Sequence, residues 1–137
     1  MKHLKRIFES FDKNIIDDVE DILLPLSDIN IPVAVSYIPS PVYYNLAKDK
    51  FSITLGDDHA DIEMIRIAPN EHKDEFLRLL DYMESKGYEF SSINFDYNGD
   101  IMILKSVHIG LGIDAISNQL FNGIDETNYL KIWFIRK

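Results

Sequence analysis

The stretch from Ile93 to Lys105, INFDYNGDIMILK, decides the fold because it has the pattern of two strands joined by a tight turn. Asn98 and Gly99 tolerate the two positive φ angles that a type I′ hairpin turn requires. Pairing outward from the turn places these apolar residues on one face: Ile93, Phe95, Tyr97, Met102 and Leu104. Ile101 and Ile103 make the opposite face apolar too, which predicts that the second strand lies in the interior of a sheet.

Further strands are predicted on both sides of this hairpin. The β-rich segment 32–38 begins at a proline, and segments 61–67 and 129–135 are also rich in strand-forming residues. Segments 42–46 and 51–55 predict a second hairpin with Lys48 and Asp49 at its tip. In that register Leu46 faces Phe51, Tyr44 faces Ile53 and Val42 faces Leu55, so one side of the hairpin is wholly apolar.

Two main helices and one short helix are also predicted, the first of them before the strands. Residues 14–25 carry apolar side chains at helical spacing after Asn14, a suitable N-cap, and Asp17 and Asp18 suit the positive end of the helix dipole. A second helix follows a predicted cap at Asn70 and ends before Gly87; its apolar stripe is Phe76, Leu79, Leu80 and Met83. The short helix runs from a predicted cap at Asp114 to Phe121.

This order of elements predicts a single α+β domain over residues 1–137. We expect a mainly antiparallel sheet of six to seven strands, with the two main helices and the short helix packed on it. A chain of 137 residues can bury roughly two thirds of its unfolded surface, and 46% of its residues are hydrophobic. It can therefore form a core without disulfides or metals.

Composition limits the function classes. There is no cysteine, which excludes disulfides, thiolate catalysis and sulfur-based zinc sites. The net charge is −9, from 14 basic and 23 acidic residues, and it argues against binding to nucleic acid or to an anionic membrane. No signal peptide and no stretch of about 18 apolar residues occurs, so we expect a cytoplasmic protein that does not enter a membrane.

One segment concentrates acidic side chains. GDDHADIE, residues 56–63, contains Asp57, Asp58, His59, Asp61 and Glu63 and no basic residue. Asp57, His59 and Asp61 are the candidate ligands for Mg, Mn or Ca, which prefer oxygen donors. The alternative is a polar turn with an acidic outer face that needs no cofactor.

Other candidates favour recognition over chemistry. The predicted helix 14–25 turns these acids outward: Asp17, Asp18, Glu20 and Asp21. With the loop acids they could form one negative surface. Six tyrosines are spread over predicted strands and would suit an interface if the sheet face is open: Tyr37, Tyr43, Tyr44, Tyr88, Tyr97 and Tyr129. Segment 108–114 has the glycines of a phosphate loop but lacks its lysine, and His3 and His72 have no partner nearby in sequence.

The opening MKHLKRIFESF resembles the starts of small proteins encoded by large tailed phages. In T-even-like phages, some such openings are capsid-targeting segments that a prohead protease removes after Ile or Leu, any residue, then Glu. Ile7, Phe8 and Glu9 match that pattern. The resemblance implies a phage protein, and cleavage after Glu9, which the sequence alone leaves open, would make Ser10 the first residue.

Three functions follow from these observations. The first is a small acidic, non-enzymatic protein-binding module, an inhibitor or accessory factor in the host cytoplasm, that presents a negative surface to a basic partner. The second is a metal-dependent hydrolase that uses the loop from Asp57 to Asp61. The third is a virion structural protein or packaged cargo. Association of the chain with itself is left open.

Overall fold

The computed structural model describes residues 14–40, 48–109 and 112–137. Five strands are present in this part of the chain: β1 (Val33–Ile38), β2 (Lys50–Gly56), β3 (Tyr88–Tyr97), β4 (Asp100–Lys105) and β5 (Tyr129–Arg136). The α-helices are α1 (residues 14–22), α2 (Leu24–Asp28), α3 (Lys73–Ser85), α4 (Ser106–Ile109) and α5 (Ile113–Asn118). A 3-10 turn, Pro69–His72, precedes α3, and a π-helical turn, Gln119–Gly123, follows α5.

The five strands form one open sheet in the order β1-β2-β5-β3-β4, and every neighbouring pair is antiparallel. The last strand of the chain, β5, is therefore central. Its alternation buries Leu130, Ile132 and Phe134 on one face, as expected for a strand whose two faces differ in environment. The predicted α+β class and antiparallel sheet are confirmed, but the described residues form five strands and not six to seven.

The prediction for the hairpin from 42 to 55 is wrong in its pairing. Residues 41–47 lie outside the described part of the chain, whereas β2 covers the expected second strand. β2 pairs with β1 on one side, which sets Phe51 opposite Tyr37 and Leu55 opposite Val33. On its other side it pairs with β5. The two edges of β2 are therefore occupied by β1 and β5, whereas the local pattern paired β2 with the preceding segment, 42–46.

The predicted strand 61–67 is also wrong. The N–H groups of Met64 and Ile65 both donate to the carbonyl oxygen of Asp61, at 2.9 Å each, so the backbone turns there. Only Ile67 makes a bridge, to Thr127. Ile62 and Met64 are exposed, and only the end of the segment reaches the core. The apolar residues of segment 61–67 fitted a strand buried on both faces, but the segment forms a turn stabilised by main-chain hydrogen bonds.

The hairpin from 93 to 105 is confirmed, with Asn98 at φ 54° and Gly99 at φ 90°. Tyr97 pairs with Asp100 and Phe95 with Met102, in the predicted register. The interior position predicted for its second strand is wrong. In the described residues β4 pairs with β3 alone and forms the edge of the sheet, because β5 occupies the other side of β3.

The helices cover one face of the sheet. Ile15, Val19 and Leu23 of the first helical segment lie in the same core as the strand residues, and the predicted stripe of α3 is fully or almost fully buried. The predicted helix 14–25 is interrupted at Leu23, and α2 restarts with Pro25 in its first turn, where a missing N–H costs no helical hydrogen bond.

Two predicted helix caps differ from the structure. Asn70 lies inside the 3-10 turn before α3, whose N-cap residue is His72. Asp114 lies in the first turn of α5, and Gly112 holds the cap position with φ 105°. The end of α3 is as predicted, because Gly87 adopts φ 88° directly after it.

Replacing Gly56 with alanine should destabilise the domain strongly. Gly56 has φ 79°, and a Cβ atom there would collide with the backbone of Asn128 and approach Ile67 Cδ1 at 2.9 Å. We expect Gly56→Ala to lower the free energy of unfolding by about 3 kcal/mol or more, measured by urea denaturation. Gly87→Ala is the matched control, because φ is similar but no atom lies within 4 Å. Its cost should be about 1 kcal/mol, and equal losses would contradict the role of the close contact.

Candidate functional site

The acidic loop, residues 57–63, leaves the sheet at the end of β2 and is held against the start of β5. The N–H of Asp57 donates to the carbonyl oxygen of Asn128 at 3.0 Å. The side-chain amide of Asn128 in turn donates to the carbonyl oxygen of Ala60. Asn128 is buried, so this tie is fixed within the protein. The sequence singled out the loop but gave no signal for Asn128, which lies 68 residues beyond Ala60.

Three loop side chains converge within the acidic loop. One potential ligand atom from each of Asp57, Asp58 and His59 lies within 4.8 Å of the others. The N–H of His59 donates to Asp57 Oδ1 at 2.9 Å, and His59 Nε2 lies 3.5 Å from Asp58 Oδ1. Of the predicted ligands, Asp57 and His59 are thus brought together, with Asp58 rather than Asp61 as the third group. All three are exposed, and the imidazole is 90% exposed.

Arg66, the basic residue that follows the acidic loop, is engaged elsewhere. Its guanidinium lies 3.1 Å from Glu71 Oε1 and 2.8 Å from Glu126 Oε1. Hydrogen bonds to these carboxylates raise the pKa of Arg66, and the hydrogen bond from Arg66 lowers the pKa of Glu71. Within the described residues, no Lys or Arg lies within 4 Å of the four loop carboxylates. No basic side chain of the described residues therefore compensates the negative charge of the loop.

The predicted acidic face of α1 has the same property. Asp17, Asp18, Glu20 and Asp21 are all exposed, because the opposite side of the helix enters the core. Tyr82 of α3 donates its hydroxyl to Asp18 Oδ2 at 2.5 Å. No basic side chain of the described residues pairs with these four acids. Tyr82 of α3 thus holds Asp18, whereas Asn128 holds the main chain of the loop at Asp57 and Ala60, so different elements support the two groups.

We call the face of the sheet opposite the described helices the open face; at its centre lies the half-buried Trp133 of the central strand. Its cross-strand neighbours are small, namely Ser52 on β2 and Ser92 on β3. Lys131 Nζ lies 4.7 Å from the centre of the Trp133 ring, which is cation–π geometry. The acidic loop borders this face, because Gly56, directly before the loop, pairs with Tyr129. Burial, and then the charge of Asp58, raise the pKa of Tyr129.

The tyrosine prediction is only partly matched by this face. Tyr88 is buried and Tyr37 half-buried on the helix-covered side, Tyr129 is half-buried on the open face, and Tyr97 is 61% exposed at the hairpin turn. Tyr43 and Tyr44 lie outside the described residues. Trp133 was missed, although the alternation in 129–135 contained the signal: its neighbours Ile132 and Phe134 face the core, so Trp133 faces away.

The remaining sequence candidates do not converge on one site. His72 lies in the 3-10 turn and His108 in α4, where its Nδ1 accepts the N–H of Lys105 at 3.3 Å. Residues 110–111 of the predicted phosphate loop and His3 lie outside the described part of the chain. A cavity of about 180 Å³ opens between α3, α5 and the sheet, lined by Leu80, Glu84, Tyr88, Glu89, Phe90, Gly112, Ile113, Ile116, Phe134 and Lys137. It is smaller than usual ligand pockets, which begin at about 300 Å³.

Comparison of the chain with protein-family models, with curated proteins and with solved structures found no match. The resemblance of the opening to phage proteins stays a prediction, as does cleavage after Glu9, and both concern residues outside the described ones. None of the described helices has the length and apolar character needed to cross a membrane.

Tyr82→Phe should remove a contribution to the free energy of unfolding that depends on pH. Burial, and then the hydrogen bond to Asp18, raise the pKa of Tyr82 above its ordinary value of 10.0. Because the pKa of Tyr82 is higher in the folded chain than in the unfolded chain, the protonated hydroxyl stabilises the fold fully below pH 10. This stabilisation is lost as the pH rises further. At pH 8, Tyr82→Phe should cost about 1 kcal/mol, a value reduced for partial exposure.

Urea denaturation at several pH values measures this effect. The difference in free energy of unfolding between the native chain and Tyr82→Phe should shrink above pH 10. Tyr97→Phe is the control for loss of a tyrosine hydroxyl, because Tyr97 is 61% exposed at the hairpin turn. A constant difference at all pH values would contradict the role of the Tyr82 proton.

Proposed function

We propose that this protein is a small acidic binding module that contacts a basic surface of a partner protein. One observation carries the proposal: eight exposed or nearly exposed carboxylates lack a Lys or Arg partner among the described residues. They are the predicted surface residues Asp17, Asp18, Glu20, Asp21, Asp57, Asp58, Asp61 and Glu63. Uncompensated charge of one sign speeds and orients encounter with a surface of the opposite sign.

The supports of the two acidic groups also favour recognition. Asp18 is held by Tyr82, and Asp57 is held by the main chain of Asn128 and by the N–H of His59. Charged groups with restricted positions lose less conformational freedom when a partner binds. The open face beside the loop adds a half-buried tryptophan, a residue type enriched at interfaces. We infer that the loop and the neighbouring open face contribute to one contact.

Neutralising two acids in each group tests the proposal. Asp58→Asn with Asp61→Asn removes two loop charges without touching Asp57, whose oxygen accepts the His59 N–H. Asp17→Asn with Asp21→Asn does the same on α1 and leaves Asp18 with Tyr82. Asp74→Asn with Asp81→Asn is the matched control, because it removes two exposed charges from α3.

The readout is capture of partners from source cells by the tagged chain at low and moderate salt. A stoichiometric protein partner should be retained by the control, bound about five- to tenfold more weakly by the loop variant, and released by salt. Equal retention by all variants, or capture of nucleic acid instead, would refute the acidic docking surface.

A metal-dependent hydrolase is the second candidate, favoured by the convergence of Asp57, Asp58 and His59 within 4.8 Å. It predicts that Mn²⁺ raises the melting temperature by mass action, and that the rise disappears in Asp58→Ala with His59→Ala. The control is Asp74→Ala with His72→Ala, which removes the same side-chain types from another element. A melting temperature independent of Mn²⁺ in the native chain would exclude metal binding by this loop.

A further inference from the structure

The edge strand β4 has the composition of an interior strand. Ile101 and Ile103 project from the open face, and Met102 from the face that the helices cover. All three are substantially exposed, at 44%, 54% and 42% respectively. Edge strands of monomeric proteins are usually protected by charges, proline or a covering element, because an unpaired apolar edge invites another strand. From Ile101 to Ile103 β4 has neither a charge nor a proline.

The turn geometry determines which main-chain groups of β4 point outward. In a two-residue hairpin the closing pair, Tyr97 and Asp100, exchanges both hydrogen bonds, and the direction then alternates along the strand. Asp100, Met102 and Leu104 therefore bond to β3. The N–H and C=O groups of Ile101, Ile103 and Lys105 point away from the sheet, and His108 Nδ1 accepts the N–H of Lys105. Among residues 14–40, 48–109 and 112–137, no strand pairs with the outward main-chain groups of Ile101 and Ile103, which can therefore receive one.

We propose that β4 pairs antiparallel with β4 of a second copy of this chain, about a two-fold axis centred on Met102. A two-fold axis perpendicular to the sheet keeps each side chain on its own face. Residues paired across the axis must therefore be an even number of positions apart, so the axis lies between two copies of the same residue. Centring it on Met102 pairs Ile101 with the partner's Ile103, and Ile103 with the partner's Ile101. Each pair exchanges two main-chain hydrogen bonds, and the two five-stranded sheets become one of ten strands.

The side chains match in this register. Isoleucine faces isoleucine twice on the open face, and Met102 faces the partner's Met102 on the other face. Because Ile-Met-Ile reads the same in both directions, the three central positions of each strand meet apolar side chains of the same type in the partner. This self-complementarity favours a second copy over an unrelated strand.

Charge also matches at the ends of the paired strands. Lys105 lies on the open face, and the register brings it near the partner's turn at Gly99, without a main-chain bond because His108 Nδ1 accepts the Lys105 N–H. The N–H of Gly99 donates to Asp96 Oδ1 at 3.0 Å, so the Asp96 carboxylate lies next to that position, also on the open face. Each Lys105 thus comes within reach of the partner's Asp96, once at either end of the two-fold.

The expected dimer is reversible. Stable interfaces bury roughly 800 Å² per partner, and a contact built on six-residue strands is small by that measure, although Tyr97 and Val107, exposed by 61% and 83%, extend it. We expect a dissociation constant in the micromolar range. The contact involves none of the eight acids of the proposed docking surface, so it stands or falls separately from the proposed function.

A single cysteine tests the register, because the chain has none of its own. The two Met102 residues would form a pair without mutual main-chain hydrogen bonds, with Cα atoms about 4.5 Å apart, inside the range that a disulfide spans. Met102→Cys should therefore form a disulfide-linked dimer rapidly on mild oxidation. Ile38→Cys is the matched control, since Ile38 is 44% exposed, close to the 42% of Met102, but lies on β1 at the other edge. Equal cross-linking of the two variants would overturn the proposal.

Sedimentation equilibrium of the full chain provides the second measurement. Ile103→Lys should weaken dimerisation at least tenfold, Lys105→Glu by a smaller factor that falls with salt, and Ile38→Lys should have no effect. These positions are exposed, so folding should be preserved in each variant, as a circular dichroism melt verifies. A native chain that stays monomeric up to millimolar concentration, or a dimer unaffected by Ile103→Lys, would overturn the proposal.

Discussion

The double pairing of β5 is the constraint on which the rest of this structure depends. β5 bonds to β2 along one edge and to β3 along the other, and its residues Leu130, Ile132 and Phe134 are buried beneath the helices. These pairings join the first half of the chain to the second, because β2 and β3 do not pair with each other. Without β5 the remaining strands would form two separate hairpins, and isolated hairpins are marginally stable in water.

The same strand relates the two surfaces of possible function. Its start, at Asn128 and Tyr129, supports the acidic loop, and its middle presents Trp133 on the open face. Both features lie on the side or end of the sheet that the helices leave uncovered. The helix-covered face contributes stability, whereas the surface chemistry of this protein is concentrated at the acidic residues, the open face and the β4 edge.

Local patterns predicted the features that local physics determines. The type I′ turn at Asn98 and Gly99, the buried stripe of α3 and the alternation of β5 all follow from neighbours in sequence. The errors concern partners distant in sequence. The pattern of β2 did not indicate that β5 would occupy its second edge, and the two apolar faces of β4 indicated an interior position. In the acidic loop, the sequence identified the acidic side chains, whereas the hydrogen bond from Asn128 and the ion pair of Arg66 with Glu126 depend on the fold.

The way the acidic loop is attached has a consequence for how this domain can diversify. Its start is held at Gly56 and by the N–H of Asp57, and its middle by the buried amide of Asn128 on Ala60, while the side chains of Asp58, His59, Asp61 and Glu63 are exposed. Exposed substitutions away from caps and close contacts usually change stability by less than about 0.5 kcal/mol. Selection can therefore rewrite the chemistry of this loop while its attachment stays constant. The fold separates the residues that hold the loop from those that give it specificity, as scaffolds with variable binding loops do.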